Sequence, residues 1–316
     1  NMMRATSDYM EMGLMMLPMT FIIITGNIDL SVASILAMCA SLLGYLHLQG
    51  VNIWIAAAAA ILLGVLGGAL NGFLVARVKL PALVVTLGTY AFYRGIAYGL
   101  LGDQAATGYP EALTFLGQGT LGEIRFPFSA VLFIFFAIIF GLVLHKTTFG
   151  RYLYAIGNSE EAARYSGVSV VRAKMIIFML SGFMSALAGI VIAARFGSTR
   201  PDVGTGLELA VITATVLGGI NIFGGSGTMV GAILALILIS LMRFGMGLVN
   251  VQGQVQSIAI GLLLIFSILL PNVARQLSRR GMQIRRSAVL STVIMLAIAC
   301  FFVWFFFWSR APILSQ

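Results

Sequence analysis

The sequence predicts an all-α, polytopic membrane helix bundle of about ten transmembrane segments, some of them short or broken. Three observations carry that reading. Only 9% of the 316 residues are charged and 60% are hydrophobic, against roughly 25% charged in an ordinary soluble domain. Apolar runs recur at about the 20-residue length that a helix needs to cross the hydrocarbon core. Lys and Arg crowd into alternate connections between those runs, as cytoplasmic loops do.

The runs fall at 11–26, 30–48, 52–76, 80–101, 126–145, 172–196, 206–222, 228–246, 255–271 and 289–308. Those at 11–26 and 206–222 sit at the lower length limit and end in Gly-rich or polar turns, so one or both are expected to be broken or partly re-entrant. Such backbone persists at membrane depth only where protein or a cavity satisfies it. With alternating directions, Arg77, Lys79, Lys146, Arg151, Arg164, Arg172, Lys174, Arg275, Arg279, Arg280, Arg285 and Arg286 share one side, which is therefore cytoplasmic. The opposite side holds Arg4, Arg125, Arg195, Arg200, Arg243 and Arg310, and with them Asp103, Glu111, Glu123, Asp202 and Glu208. The formal net charge of +9 is thus topological, and it points to a lipid bilayer rather than to nucleic acid.

The cytoplasmic connection at 146–171 is the most polar stretch inside the bundle. Within it, Asn158 followed by Glu161 fits a capping box, and Glu160 and Glu161 fall in the first turn of a short helix, where its dipole favours negative charge. Gly167 is placed to end that helix. Such an element is either an idle connector or a docking helix. Its small face (Ala162, Ala163, Ser166) and the rings of Tyr154 and Tyr165 suit a groove on another protein.

Catalytic constellations are missing from the sequence. His47 and His145 lie at span ends without metal or nucleophile spacing. No Gly-x-x-x-x-Gly-Lys-Ser/Thr loop occurs, and "GGSGT" at 224–228, lacking Lys and a preceding strand, reads as a tight turn between close-packed helices. Cys39 and Cys300 both sit in apolar runs. The chain is not expected to be an enzyme, to hold a metal or to need a cofactor.

Polar groups inside the spans are few. Thr86, Tyr90, Tyr93 and Arg94 share one helical face, and their hydroxyls and aromatic edges suit a polyol. Arg94, about 20 Å along its run from Leu80, either lines that face or snorkels to the outer interface. Asp29 either caps a helix beginning at Leu30 or lines an inner gate. "GNIDLSVASILA" (26–37) and "GGINIFGGSGTMVGAILA" (218–235) each read as a short run, a polar turn and a new helix. Matching broken segments point to a central pathway, and would place Thr213, Thr215 and Asn221 beside Asp29.

"GRYLYAIGNSEEAARYSGVSVVRAK" (150–174), "ITGNIDLSVAS" (24–34), "LPALVVTLGTYAFYRGIA" (80–97) and "GTGLELAVITATVLGGINIFGGSGTMVGAILA" (204–235) occur in family order. Through them the chain resembles the ribose-type (branched carbohydrate) permeases of ABC importers over nearly its whole length. "MLPMT" and "ATGYP" bring it closest to the rhamnose and autoinducer-2 branches. The resemblance implies a single permease domain over 1–316, seated in a bacterial inner membrane. It implies two cytoplasmic ABC ATPases, a second permease copy or paralogue, and an extracytoplasmic sugar-binding protein received by 103–125 and 197–205. It makes 146–171 the coupling loop, with Ala155, Gly157, Asn158, Glu160, Glu161, Ala163, Tyr165 and Gly167 as its ATPase-coupling residues. The family usually has Gly where this chain has Asn27 and Ala33.

Ion-coupled transporters more often bury acids mid-span, and the scarcity of such acids here favours the ATPase. A secondary transporter acting alone remains the rival reading, and a structural membrane subunit the third. The segment 282–316 resembles the family's first span, and joining Gln316 to Asn1 would restore the usual order. A circular permutation with Met282 as the original start is therefore expected. A truncated tandem gene or an unrelated extra span are the alternatives.

Overall fold

In the computed structural model, which describes residues 9–122 and 126–279, every apolar run up to 255–271 contains a helix. The run at 289–308, and with it the segment 282–316 and the permuted order, lies outside the described residues. The helices are α1 (Met10–Ile24), α2 (Val32–Leu48), α3 (Ile53–Ala76), α4 (Ala82–Leu101), α5 (Glu111–Gln118), α6 (Phe128–Lys146), α7 (Thr148–Asn158), α8 (Glu160–Tyr165), α9 (Val170–Phe196), α10 (Leu207–Leu217), α11 (Met229–Leu248) and α12 (Gly253–Arg279). Of these, α3, α6, α9 and α11 are long and apolar enough to cross a membrane, while α1, α2, α10 and the first part of α12 are shorter apolar helices.

Local chemistry sets the boundaries. Asn52, Thr147 and Thr228 accept backbone N–H groups at the starts of α3, α7 and α11, each satisfying an orphan donor of a first turn. Gly197, left-handed at φ 63, stops α9. The expectation of short helices at 11–26 and 206–222 is met by lengths of 15 and 11 residues, about 22 and 16 Å at 1.5 Å per residue. Each gives way to a polar turn and then to a new helix.

Helix α1 is the axis of the molecule. All of its residues are buried, enclosed by α6, α7, α9, α10 and α11. Glu11, at its outer end, is 2% exposed on its side chain and ion-pairs with Arg195 of α9 at 2.7 Å. Helices α3 and α9 touch backbone to backbone, because a Cβ on Gly68 would overlap the carbonyl of Phe178 and one on Gly182 the carbonyl of Gly64. Small residues allow such close approach where lipid supplies no hydrophobic drive to associate. On the outside, Leu62, Leu66 and Leu70 of α3, Ile138 and Leu142 of α6, and Leu234, Ile237 and Leu241 of α11 remain exposed at helical spacing, which is the surface a bilayer covers.

Two short antiparallel pairs close the outer face. β1 (Ala106–Thr107) pairs with β4 (Ser198–Thr199), and β2 (Thr120–Leu121) with β3 (Phe126–Pro127). The first pair, with the Tyr109 hydroxyl donating to Thr199 Oγ1 at 2.8 Å, joins the two outer loops to each other.

Candidate functional site

The turn between α1 and α2 is built around Asp29. Gly26, left-handed at φ 75, ends α1, and the N–H groups of Gly26 and Asn27 donate to the carbonyls of Ile23 and Ile22, a Schellman closure. Asn27 fits here because its Nδ2 donates to Thr25 O and Oγ1. Asp29 is wholly buried. Its Oδ1 accepts from the N–H and hydroxyl of Ser31 at 2.9 and 2.6 Å, and its Oδ2 from the Ser181 hydroxyl of α9 at 2.9 Å. Asn71 of α3 donates to Ser31 Oγ at 2.8 Å, and Tyr93 of α4 donates to Gly67 O at 2.8 Å. The expected cap differs in position: α2 begins at Val32, and Asp29 closes the turn before it rather than binding a first-turn amide. Ser31 and Ser181 thus meet the carboxyl directly, and Asn71, which also accepts from Tyr93 at 3.3 Å, stands behind Ser31.

The predicted face of α4 turns into the protein, although not as one surface. Thr86 and Tyr93 are buried, with Thr86 donating to Ile28 O at 3.3 Å. Tyr90 is half-buried beneath the Arg94 guanidinium, 5.9 Å from its ring centre. Arg94 reaches the outer loop, donating to Pro201 O at 2.7 Å and Val203 O at 3.0 Å. In α10, Thr213 and Thr215 donate to carbonyls of their own helix, Leu209 and Val211. Asn221 shapes its own turn, donating to Gly224 O and accepting from Phe223 N. The resemblance between 26–37 and 218–235 becomes a contact: Gly225 N donates to Ile24 O at 2.9 Å, so the two polar turns lie against each other.

The connection at 146–171 holds two helices rather than one. α7 runs on to Asn158, whose Nδ2 donates back to Tyr154 O. The cap of α8 is therefore Ser159, whose Oγ accepts from Ala162 N at 3.2 Å, and not Asn158 as the capping box suggested. Gly167 does end α8, at φ 84, with its own N–H and that of Val168 on the carbonyls of Arg164 and Ala163, which is again a Schellman closure. Glu160 accepts from Lys174 at 2.6 Å and from Arg164 at 3.2 Å. Burial works to raise the Glu160 carboxyl pKa, but the Lys174 bond and charge, helped by Arg164, outweigh it and hold the group below its ordinary value.

The proposed docking face divides. Ala163 is buried with Ile156, Val170 and Ala173, and Tyr154 points inward, donating to Gly227 O at 2.8 Å. Ala163 is closed to a partner, and the Tyr154 hydroxyl is already engaged, although its ring is half-buried. Ala155 and Gly157 of α7 are half-buried, whereas Glu160, Glu161 and Tyr165 are exposed, Tyr165 at 84%.

At the opposite end, a cavity of about 420 Å³ opens among α1, α9, α10, α11 and the 197–206 loop. Glu11, Arg195, Arg200, Asp202 and Arg243 give it a charged lining. Among the described residues, no group of three His, Cys, Asp or Glu side chains is placed to hold a metal ion.

Residues 1–268 match the family described as "Branched-chain amino acid transport system / permease component". The chain belongs to that permease family. The permease is 39% identical over 267 residues, 83% of its own length and 80% of the other, to the autoinducer 2 import system permease protein LsrD of Klebsiella pneumoniae. It is 37% identical over 287 residues, 89% and 84% of the two chains, to that of Photorhabdus luminescens. To that of Yersinia pseudotuberculosis it is 35% identical over 291 residues, 90% and 87% of the two. No solved structure matches it. Family, membrane bundle and transport role agree with the resemblance drawn from the sequence blocks.

Reading the sequence alone missed Ser159, Ser181, Asn71 and Lys174. Asn71 carried a usable signal, as an amide deep in an apolar run that has to find a partner inside the bundle. Ser181 carried none, since a serine in a long helix is equally content bonding its own backbone.

Proposed function

We propose that the permease is the membrane subunit of an ATP-driven importer for a sugar or a sugar-like solute, of the kind its relatives' names give as autoinducer 2. Rhamnose and ribose stand as the neighbouring substrates. It would work in a bacterial inner membrane with two cytoplasmic ABC ATPases, a second permease copy or paralogue, and an extracytoplasmic binding protein. It would catalyse nothing itself. The observation that supports ATP coupling best is α8: a six-residue helix closed at both ends and pinned by Glu160 to Lys174, with Tyr165 standing in solvent. A connector with no partner has no need of such fixing. The binding protein would dock where β1 and β4 join the outer loops, above the charged cavity. Tyr90, Arg94 and the turns around Asp29 and Asn221 would border the route between the two permeases.

The test is uptake of radiolabelled autoinducer 2 into vesicles holding the permease with its ATPase and binding protein. Uptake that needs ATP and survives a protonophore supports the reading. Uptake that follows an ion gradient without ATP would replace it with secondary transport.

A further inference from the structure

The coupling loop has an inner side as well as an outer one, and that side is made of bare backbone. A Cβ on Gly157 would overlap both the Ile24 carbonyl oxygen at the end of α1 and the Gly225 nitrogen in the turn before α11. One on Gly224 would come within 2.8 Å of Gly26 N and 3.0 Å of Gly157 O. Gly225 N already donates to Ile24 O at 2.9 Å, and the Tyr154 hydroxyl donates to Gly227 O at 2.8 Å in the same turn. Helix α7 and both polar turns therefore meet at one junction largely through backbone, with the Asn158 amide against Gly225 and the Tyr154 hydroxyl on Gly227.

Side chains in a contact absorb displacement by changing rotamer, whereas packed backbone transmits it. The other end of the loop offers the contrast. A Cβ on Gly167 would meet nothing within 4 Å, so that glycine serves a left-handed turn and Gly157 serves closeness. Beyond the junction, the turn after α1 continues into the Asp29 cluster, which is tied to α3 and α9 through Asn71 and Ser181. A shift of α7 thus reaches both broken segments together.

We propose that Tyr154 and Gly157 are positioning residues that carry movement of the loop into the two inner polar turns, and that neither belongs to the surface docking the ATPase. This rests on the reading of the loop as the ATPase contact. The experiment uses the whole complex in vesicles and follows three quantities: retention of the ATPase, ATP hydrolysis, and radiolabelled autoinducer 2 taken up per ATP hydrolysed. That last ratio is unmoved by a simple loss of folded protein, since both of its parts then fall together.

Tyr154→Phe is expected to keep the ATPase bound and hydrolysing while uptake per ATP falls roughly three- to tenfold, the shift that one hydrogen bond supplies. Gly157→Ala is expected to lower the ratio further. If that variant fails to insert, Tyr154→Phe decides alone. An unchanged ratio in Tyr154→Phe overturns the proposal, and so does release of the ATPase, which would put Tyr154 in the docking surface. Failure of the ATPase to associate with the unaltered chain would instead overturn the reading beneath it.

Discussion

Arg94, in α4, donates to the carbonyl oxygen of Pro201 at 2.7 Å, 107 residues further along the chain. The same Nη1 also reaches Val203 O. The sequence left Arg94 between a pathway face and the outer interface, and the structure uses it as a strut under the outer loop. Arg94→Ala should cost about 1–3 kcal/mol, because it leaves partly buried carbonyls unpaired. Arg94→Lys should fall between, keeping the charge but losing the fork. Thermal unfolding in detergent measures both, and an unchanged midpoint for the Ala variant would remove the strut.

Asp29→Ala should orphan the three donors that now meet its carboxyl and destabilise the bundle by about 2–3 kcal/mol. Asp29→Asn should be milder, since the Ser181 hydroxyl can reverse and accept from the amide. Because Asp29 and Ser181 are bonded at 2.9 Å, their Ala variants should couple by at least about 0.5 kcal/mol in a double-mutant cycle. Strict additivity would mean that the bond carries nothing.

Ser159→Ala should weaken α8 by about 1 kcal/mol, whereas Asn158→Ala should leave its cap intact. Gly167→Val forces a β-branched residue to φ 84, where it is strained. Hydrogen exchange across 160–166 should rise in the first and third variants and not through lost capping in the second. The reverse ranking would restore the cap expected from sequence.

Glu160 gives the loop a pH dependence. Its folded pKa lies below the ordinary 4.5, so the stabilisation is complete above that value and drains away as pH falls towards the folded one. Protection of 160–166, corrected for intrinsic exchange, should stay flat from about pH 6 to 8 and drop below about 4.5. A loss centred near neutrality would implicate another group.

Cysteine labelling tests the face of α4. A cysteine at Tyr90, half-buried, should react with a small water-soluble thiol reagent. Cysteines at Thr86 and Val85, both buried, should not. Protection at Tyr90 as well would remove α4 from the route.

Much of this architecture was legible in the sequence because hydropathy and glycine have local meanings. The apolar runs marked the helices, the shortness of 11–26 and 206–222 marked the broken segments, and Gly167 marked the end of α8. Other features depend on partners that sequence does not label. The carbonyls that hold Arg94 belong to the backbone, which has no letter of its own. Asn158 and Ser159 both qualify as caps, and only the continuation of α7 through Asn158 separates them. The inward turn of Tyr154 follows from the 218–228 backbone reaching the loop, a meeting that no spacing within 150–174 could announce.

The ion pair between Glu11 and Arg195 spans 184 residues. A buried carboxylate in the first turn of an apolar helix is costly while unpaired, and synthesis proceeds at about 5–20 residues per second. Helix α1 must therefore wait roughly ten to forty seconds for α9 to follow it out of the ribosome. The outer end of α1 is then settled only once α9 has arrived beside it. A charge reversal at either end would be rescued by reversing both, and its first symptom would be slow maturation and degradation during insertion rather than a fault in transport.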